Sequence, residues 1–141
     1  MARWEQNSSG SIPEWFWEAI EDEADRHSVT VEDCDVIFRT WGDPQKPGVL
    51  LIHGMNAHSL CWDFIAPQLL DRFQIAAMYL TGMGDSDYRY NYNSETYALE
   101  ITGVMNDAGF DSSGVVVAHS FGGYMAVKAA NLYPEKIGNL F

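Results

Sequence analysis

The chain has 141 residues, 47% hydrophobic and 20% charged, which is typical of one soluble globular domain rather than a disordered segment. Its 20 acidic residues outnumber the 8 basic ones and give a formal net charge of −12, which argues against a nucleic acid or an anionic membrane as a partner. No apolar run approaches the ~20 residues of a transmembrane helix, and no signal peptide is visible at the amino terminus.

The first elements in chain order are a tail and a helix. Residues 1–10 are predicted to be a flexible tail, and residues 11–141 are predicted to form one domain portion. Ser11 and Glu14 have the spacing of a capping box, with Pro13 in the first turn of the helix that follows. The apolar stripe of this helix, which we expect to pack on a sheet, contains Ile12, Trp15, Phe16, Ala19 and Ile20.

Four strands and a helix are predicted next. The segments 29–31 and 36–40 read as a hairpin, and the acidic residues around it are interpreted as a solvated face rather than a metal site. The continuously apolar segments 49–52 and 74–80 are typical of parallel strands that are covered on both faces. Between them, residues 60–70 are predicted to form a helix that is interrupted or bent near Pro67.

The two cysteines, Cys34 and Cys61, lie far apart without metal-ligand spacing. We expect them to be small, reduced core residues of a cytoplasmic protein.

The carboxyl-terminal third alternates helices and strands. A helix is predicted from Ser94 to about Met105, after a tyrosine-rich stretch, 88–92, that is expected to border a pocket or to form an exposed loop. A valine-rich strand precedes Ser120, the helix after Ser120 is expected to end near Pro134, and residues 136–141 resemble the beginning of another strand.

Small residues surround Ser120 at the junction between this strand and its helix. Ala118 and Gly122 occupy the two positions of a strand–turn–helix where the backbone is crowded and side chains must be small. This context is typical of a nucleophilic serine held up at the end of a buried strand. The alternative is an incidental serine in an ordinary turn.

With two further motifs, the chain resembles the amino-terminal half of an α/β-hydrolase of the serine hydrolase type. The motifs are His53-Gly54 after one strand and the sequence 82–86 after the next, and with 118–123 they follow the order of that family over roughly residues 12–141. The resemblance implies a partial α/β-hydrolase fold. Its features would be a mostly parallel sheet with an amino-terminal antiparallel hairpin, helices on both faces, and truncation after the helix that follows the serine.

The same resemblance implies roles for individual residues. Ser120 would be the nucleophile, and the backbone N–H groups of Met55 and Phe121 would form the oxyanion hole. The residues expected to support the site are His53, Gly54, Ala118, His119 and Gly122. No cofactor or metal is implied, because the glycine-rich loop 82–86 lacks the lysine and the full spacing of a nucleotide site.

The acid and base of such a site have no match in this sequence. In the resembled family both follow the serine, whereas after Ser120 there is one acidic residue, Glu135, and no histidine. We therefore expect an incomplete serine hydrolase for an ester or similar carbonyl substrate, working through a Ser120 acyl-enzyme. Serine at this position disfavours the epoxide hydrolase and dehalogenase branches, which use aspartate.

A second interpretation stays open. The chain could be a non-catalytic half-domain that binds a small apolar ligand or a complementing chain. In either case an incomplete sheet would expose a strand edge, which predicts self-association.

Overall fold

A computed structural model describes residues 11–141, which form a six-stranded mixed sheet flanked by helices. The predicted flexible tail, residues 1–10, lies outside the described residues. The strands are β1 (Asp25–Val31), β2 (Cys34–Trp41), β3 (Gly48–Ile52), β4 (Gln74–Met78), β5 (Val115–Ala118) and β6 (Asn139–Leu140). The helices are α1 (Glu14–Glu21), α2 (Ser94–Asp107) and α3 (Phe121–Leu132), with short 3-10 helices at Ser59–Trp62 and Ala66–Leu69.

The strand order is β1-β2-β4-β3-β5-β6, which confirms the predicted antiparallel hairpin on a mostly parallel sheet. β1 pairs antiparallel with β2, and β2 pairs antiparallel with β4, whereas β4, β3, β5 and β6 are parallel. Glu32 and Asp33 join β1 to β2 with φ values of 48° and 63°. Two consecutive positive φ values give the tight turn whose twist matches a two-residue hairpin.

β3 is the central strand of the parallel part, and all five of its residues are buried. Its apolar sequence fits this place, because helices or turns cover both faces of the sheet there. Ile52 pairs with Met78 of β4 and with Ala118 of β5, so the carboxyl ends of β3 and β5 lie side by side. The residues that follow these two strands therefore meet at one edge of the sheet.

Each face of the sheet carries its own apolar core. On one face α2 and α3 pack over side chains that include Phe38, Leu50, Ile52, Met78, Ile101, Val116 and Ala126. On the other face the second 3-10 helix and its neighbours cover Trp41, Val49, Leu51, Ile75 and Ala77. The prediction of helices on both faces is correct, although short 3-10 helices and turns supply most of the second layer.

The helix predicted over 60–70 is interrupted near Pro67, as one of the two alternatives had it, but its parts are 3-10 helices. Two separate 3-10 helices occupy this segment, and Pro67 lies in the first turn of the second one. Proline has no N–H to donate and its ring excludes a preceding α-helical turn, so a continuous helix is interrupted. Cys61, in the first 3-10 helix, is exposed, and Cys34, at the start of β2, is half-buried, which corrects the prediction that both are core residues.

The predicted capping box and apolar stripe of α1 are also corrected. The helix begins after Pro13, so Ser11 lies too early to cap it, and no side chain caps the first turn. Ala19 is its one buried residue, while Trp15 and Ile20 stay exposed. The helix is held instead by Phe16, whose ring lies 5.7 Å from that of Phe64.

β6 is short, but it covers the far side of β5. The Ala118 N–H donates to the Phe141 carbonyl and the Phe141 N–H to the Val116 carbonyl, both at 2.9 Å. The valine-rich strand β5 is thus paired on both sides, and β6 forms the edge. Self-association through that edge stays a prediction.

None of the helices in the described part of the chain is long and apolar enough to span a bilayer.

Candidate active site

Ser120 lies in the turn between β5 and α3 with an unusual backbone conformation. Its φ is 53° and its ψ is −117°, a region that residues with a side chain rarely adopt and that costs about 1–3 kcal/mol. The side chain is exposed and caps no N–H group of the helix that follows. The turn therefore holds the Ser120 hydroxyl at the surface, free of local hydrogen bonds.

Gly122 explains why this turn needs small residues. A Cβ at position 122 would overlap the His53 carbonyl oxygen and lie 2.8 Å from Cγ2 of Ile52. At position 123 the nearest atom, the Ala118 carbonyl oxygen, would be 3.6 Å away, which is an ordinary contact. The start of α3 packs directly on the end of β3 at Gly122, and Gly123 has room for a methyl group.

The loop after β3 lies against the Ser120 turn. The His119 N–H donates to the Ile52 carbonyl at 3.0 Å, which extends the β3–β5 ladder by one step. A Cβ built on Gly54 would be 3.4 Å from the Ser120 Cβ and 2.8 Å from His119 Nδ1. The structure thus brings together the segments that carry the predicted site residues Met55, Ser120 and Phe121.

The backbone N–H groups of Met55 and Phe121 donate to no acceptor within residues 11–141. Phe121 is the first residue of α3, and the N–H groups of a first helical turn have no partner inside the helix. Both residues border a cavity, from which an acceptor atom of a ligand could approach either N–H group.

His53 is fully buried and both of its ring nitrogens are engaged. Nε2 accepts a hydrogen bond from the Leu80 N–H at 3.1 Å, so Nδ1 carries the proton and donates to the Gly54 carbonyl at 2.8 Å. Burial lowers the pKa of His53 below its ordinary value. A neutral imidazole with no free lone pair cannot accept a proton from Ser120, so His53 joins the ends of β3 and β4 instead.

The other three histidines have different surroundings. His27 stacks on Phe38 and bonds the Thr40 hydroxyl at 2.8 Å, on the hairpin at the opposite end of the strand order. His58 is exposed, with its ring 6.4 Å from that of Tyr79, and His119 is exposed beside Gly54. Among the histidine hydrogen bonds of residues 11–141, none reaches Ser120. Within the same range no three metal-ligating side chains cluster.

A cavity of about 590 Å³ opens beside this turn, within the size range of small-molecule sites. No charged side chain lines it. Its lining residues are Met55, Asn56, Thr81, Gly82, Met83, Tyr88, Tyr92, Asn93, Ser94, Tyr97, Phe121, Tyr124 and Met125. The expectation that the tyrosine-rich stretch borders a pocket is confirmed by Tyr88 and Tyr92, whereas Ser120 itself is not among the lining residues.

Sequence reasoning missed a buried ion pair behind one wall of the cavity. Arg89 Nε lies 2.9 Å from Glu100 Oε1, and the two side chains are 7% and 0% exposed. Burial, as the largest effect, raises the pKa of Glu100, and burial also raises the pKa of the neighbouring Tyr97 to about 12. The available signal was an acidic residue on the apolar face of α2, beside Tyr97 and Ile101.

The backbone of Ser120 leads to a stability prediction. Glycine adopts the Ser120 angles without a Cβ conflict, whereas alanine keeps the conflict. We expect Ser120→Gly to be more stable than Ser120→Ala by about 1 kcal/mol in free energy of unfolding. Urea denaturation of the two variants measures the difference, and an alanine variant as stable as the glycine variant would show that the turn is unstrained.

Comparisons with known proteins point to one family. The family model described as the alpha/beta hydrolase fold matches residues 47–141. Human epoxide hydrolase 4 is 28% identical over 117 residues, covering 79% of this chain and 32% of that protein. The lipase LipV of Mycobacterium tuberculosis is 30% identical over 106 residues, covering 75% of this chain and 40% of that protein.

Solved structures have the same architecture. A thioesterase domain from the curacin biosynthetic pathway aligns with a TM-score of 0.75 and 27% identity, over 84% of this chain and 43% of that one. Epoxide hydrolase A from Mycobacterium thermoresistibile aligns with a TM-score of 0.76 and 22% identity, over 84% and 38%. The matched part of the chain thus covers 32–43% of the length of these relatives, and the predicted partial fold is confirmed.

Proposed function

This chain belongs to the α/β-hydrolase fold family, and from that premise we propose that it supplies the nucleophile and the oxyanion hole of a serine hydrolase. The substrate would be a small molecule with an ester or similar carbonyl group. The observation that carries the proposal is the Ser120 turn, which exposes a hydroxyl next to the Phe121 N–H at the start of α3 and against the loop that carries the Met55 N–H, both of which have no acceptor within residues 11–141. The activity of the whole protein is part of the proposal.

In the proposed reaction, Ser120 Oγ attacks the carbonyl carbon and its proton passes to a base. The carbonyl oxygen becomes negatively charged and accepts hydrogen bonds from the Met55 and Phe121 N–H groups, each such donor contributing about 10²–10³-fold in rate. Collapse expels the alcohol, which takes up the proton, and leaves an acyl-enzyme. Water then releases the acid and restores the Ser120 hydroxyl. No cofactor or metal takes part.

The lining of the cavity supports an uncharged substrate. Methionine and aromatic side chains supply most of its surface, and its polar groups are neutral amides and hydroxyls. A carboxylate or phosphate on the substrate would lose hydration there without meeting a cation. The net charge of −12 further disfavours an anionic substrate. An ester with an apolar acyl group fits best.

The names of the relatives divide between two chemistries, and the residue at position 120 favours one of them. Epoxide hydrolases appear among the matches, and so do a lipase and a thioesterase. A serine hydroxyl forms an ester when it attacks an acyl carbonyl, which is the chemistry of the second group. We propose acyl transfer for this reason.

We infer that the base and the acid come from residues outside this chain. His53 has both nitrogens engaged, and none of the hydrogen bonds of His27 or His53 reaches Ser120. A serine hydroxyl is a weak nucleophile without a base that accepts its proton. The same observation favours the second candidate, a non-catalytic half-domain whose cavity binds a small apolar ligand.

Two further proposals concern the cellular location of this chain and its self-association. We propose a cytoplasmic location, since Cys34 and Cys61 are both free thiols and Cys61 is exposed. We also propose that the β6 edge allows self-association.

Chemical rescue separates the two candidate functions. The chain alone is expected to hydrolyse 4-nitrophenyl butanoate weakly, since the oxyanion hole and binding of triad enzymes retain ~10³–10⁴-fold over water at best. Added imidazole should supply the missing base, so the hydrolysis rate should rise with its concentration. In Ser120→Ala the rate should rise only as much as imidazole alone raises it by reacting with the ester directly. Ser28→Ala, at an exposed serine of β1, is the matched control and should keep the full rise.

Equal rates for the unchanged chain and Ser120→Ala at every imidazole concentration would reject Ser120 as the nucleophile. Fast Ser120-dependent turnover without imidazole would instead show that the base lies within the chain.

A further inference from the structure

Behind the cavity wall, Arg89 makes contacts that the proposed reaction does not use. We propose that Arg89, through Glu100 and Thr81, is a positioning residue that holds the aromatic wall of the cavity against Phe121. The proposal rests on the proposed function for the role of the Phe121 N–H, but the shape of the cavity does not depend on that role.

The guanidinium of Arg89 joins three parts of the fold. It donates to the Val31 carbonyl at 2.8 Å and to the Glu32 carbonyl at 3.2 Å, where β1 ends. It also donates to Glu100 of α2 at 2.9 Å and to the Thr81 hydroxyl at 3.0 Å, in the loop after β4. Because these acceptors belong to three different parts of the fold, the guanidinium helps to set the relative position of those parts.

The next contacts lead from Thr81 to the cavity. The Thr81 N–H donates to Glu100 Oε2 at 3.0 Å, and the Thr81 hydroxyl donates to the other carboxylate oxygen. The Tyr97 hydroxyl donates to the Thr81 carbonyl at 3.1 Å. On the other side, the backbone N–H of Arg89 donates to the Tyr92 hydroxyl at 2.9 Å. Both tyrosines line the cavity. Tyr97 bonds the backbone of Thr81, whose N–H and hydroxyl are held by Glu100, whereas Tyr92 bonds the backbone of Arg89.

The rings of the two tyrosines connect the region around Thr81 and Arg89 to Phe121. These rings stack with centroids 5.9 Å apart and planes 19° apart. The Tyr97 ring meets the Phe121 ring edge to face, with centroids 5.4 Å apart and planes at 88°. Phe121 begins α3 immediately after Ser120, so its ring contact helps to fix the first turn of that helix. A shift of the Tyr97 ring would therefore reach the N–H group proposed as an oxyanion donor.

The geometry requires arginine rather than any cation. Its planar fork presents several N–H donors in fixed directions, whereas a lysine ammonium is a single point with three donors. Arg89→Lys keeps the charge opposite Glu100 but cannot reach the Val31 carbonyl, the Glu32 carbonyl and the carboxylate together. The effect of Arg89→Lys therefore reports the loss of the guanidinium's hydrogen bonds while the positive charge opposite Glu100 is kept.

Arg39 provides the matched control. Its guanidinium bonds Asp63 and the Ser59 hydroxyl, its side chain is 14% exposed, and it does not line the cavity. Arg39→Lys removes a guanidinium from a similar pair elsewhere in the fold, so it reports the general cost of that substitution.

The test follows binding of methyl hexanoate by NMR in a Ser120→Ala background, in which no turnover through Ser120 occurs. We expect Arg89→Lys to weaken binding by about 5-fold, to shift the Phe121 amide resonance and to reduce the Overhauser contact between the Tyr97 and Phe121 rings. Arg39→Lys should change none of these. Glu100→Gln, which keeps one oxygen acceptor, should give an intermediate loss and serves if Arg89→Lys does not fold.

The outcomes separate this proposal from the proposed function. Unchanged binding and an unchanged Phe121 amide in folded Arg89→Lys would overturn the positioning role, and so would equal losses in Arg89→Lys and Arg39→Lys. Because the readout is binding without Ser120, the expected losses would support the role of Arg89 even if chemical rescue showed that Ser120 is not a nucleophile.

Discussion

Replacing Gly122 with alanine is expected to destabilise the chain by about 3 kcal/mol, a large share of the roughly 5–15 kcal/mol that holds a domain folded. The added Cβ would overlap the His53 carbonyl oxygen, a backbone atom at the end of the central strand, and would press on Ile52. Neither can move without disturbing β3, because Ile52 pairs with strands on both sides. The start of α3 would have to lift from the sheet, and the Ser120 turn would move with it.

Gly123→Ala is the matched control for this prediction. It makes the same chemical change one residue later in α3, where the nearest atom would be 3.6 Å from the new Cβ. Alanine favours a helix over glycine by up to about 1 kcal/mol, so this variant should be as stable as the unchanged chain or more stable. Urea unfolding followed by circular dichroism measures both variants. Similar losses at positions 122 and 123 would contradict the described packing of α3 on β3.

Replacing Arg89 with methionine is expected to cost about 3–5 kcal/mol of stability near neutral pH, because it leaves the buried Glu100 without its cation. The loss should be smaller at pH 5 than at pH 8. Burial already raises the pKa of Glu100, and Arg89 is among the groups that hold it down. Without Arg89 the pKa of Glu100 rises further, so the folded state takes up a proton more readily.

The sign of this pH dependence follows from proton linkage. With a raised pKa in the folded state, Glu100 binds more protons folded than unfolded between its ordinary value and the raised one. Stability therefore falls as the pH rises through that interval. Tyr97 also faces Glu100, and burial raises its pKa to about 12, so it stays neutral over this pH interval. Glu32 approaches from the hairpin, where its carboxylate accepts a hydrogen bond from Thr96.

A double variant checks the assignment to Glu100. Arg89→Met with Glu100→Gln has no buried carboxylate at this place, so its stability relative to the unchanged chain should vary much less between pH 5 and pH 8. Urea midpoints at both values measure the effect. An Arg89→Met penalty that is the same at pH 5 and pH 8 would show that Glu100 is not the group that titrates.

The sequence was informative about the strands and the turn that build the site. The apolar runs of β3, β4 and β5 are long enough to identify buried parallel strands, and the order of motifs put their carboxyl ends together. The need for glycine at position 122 followed from the crowding of a strand–turn–helix. Strand composition and small residues at a turn are local patterns that the sequence shows directly, although the contacts they make at Ile52 and His53 are distant in the chain.

Other features depend on contacts that no local pattern shows. Arg89 reaches the end of β1 and the middle of α2, and nothing near it in sequence names those partners. The capping box at Ser11 had the correct spacing, but the helix begins after Pro13. The helix expected over 60–70 gave way to 3-10 turns, because Pro67 interrupts the hydrogen-bond ladder.

The most direct measurement of the role of Ser120 is its rate of covalent labelling. A fluorophosphonate forms a phosphonate ester with an activated serine and releases fluoride and a proton, and mass spectrometry of peptides locates the adduct. We expect Ser120 to be labelled at least about 10-fold faster than any other serine of the folded chain, since even one oxyanion donor contributes 10²–10³-fold. In urea the preference should disappear. Labelling of Ser120 no faster than of Ser28, or a preference that survives unfolding, would contradict an oxyanion hole built by this fold.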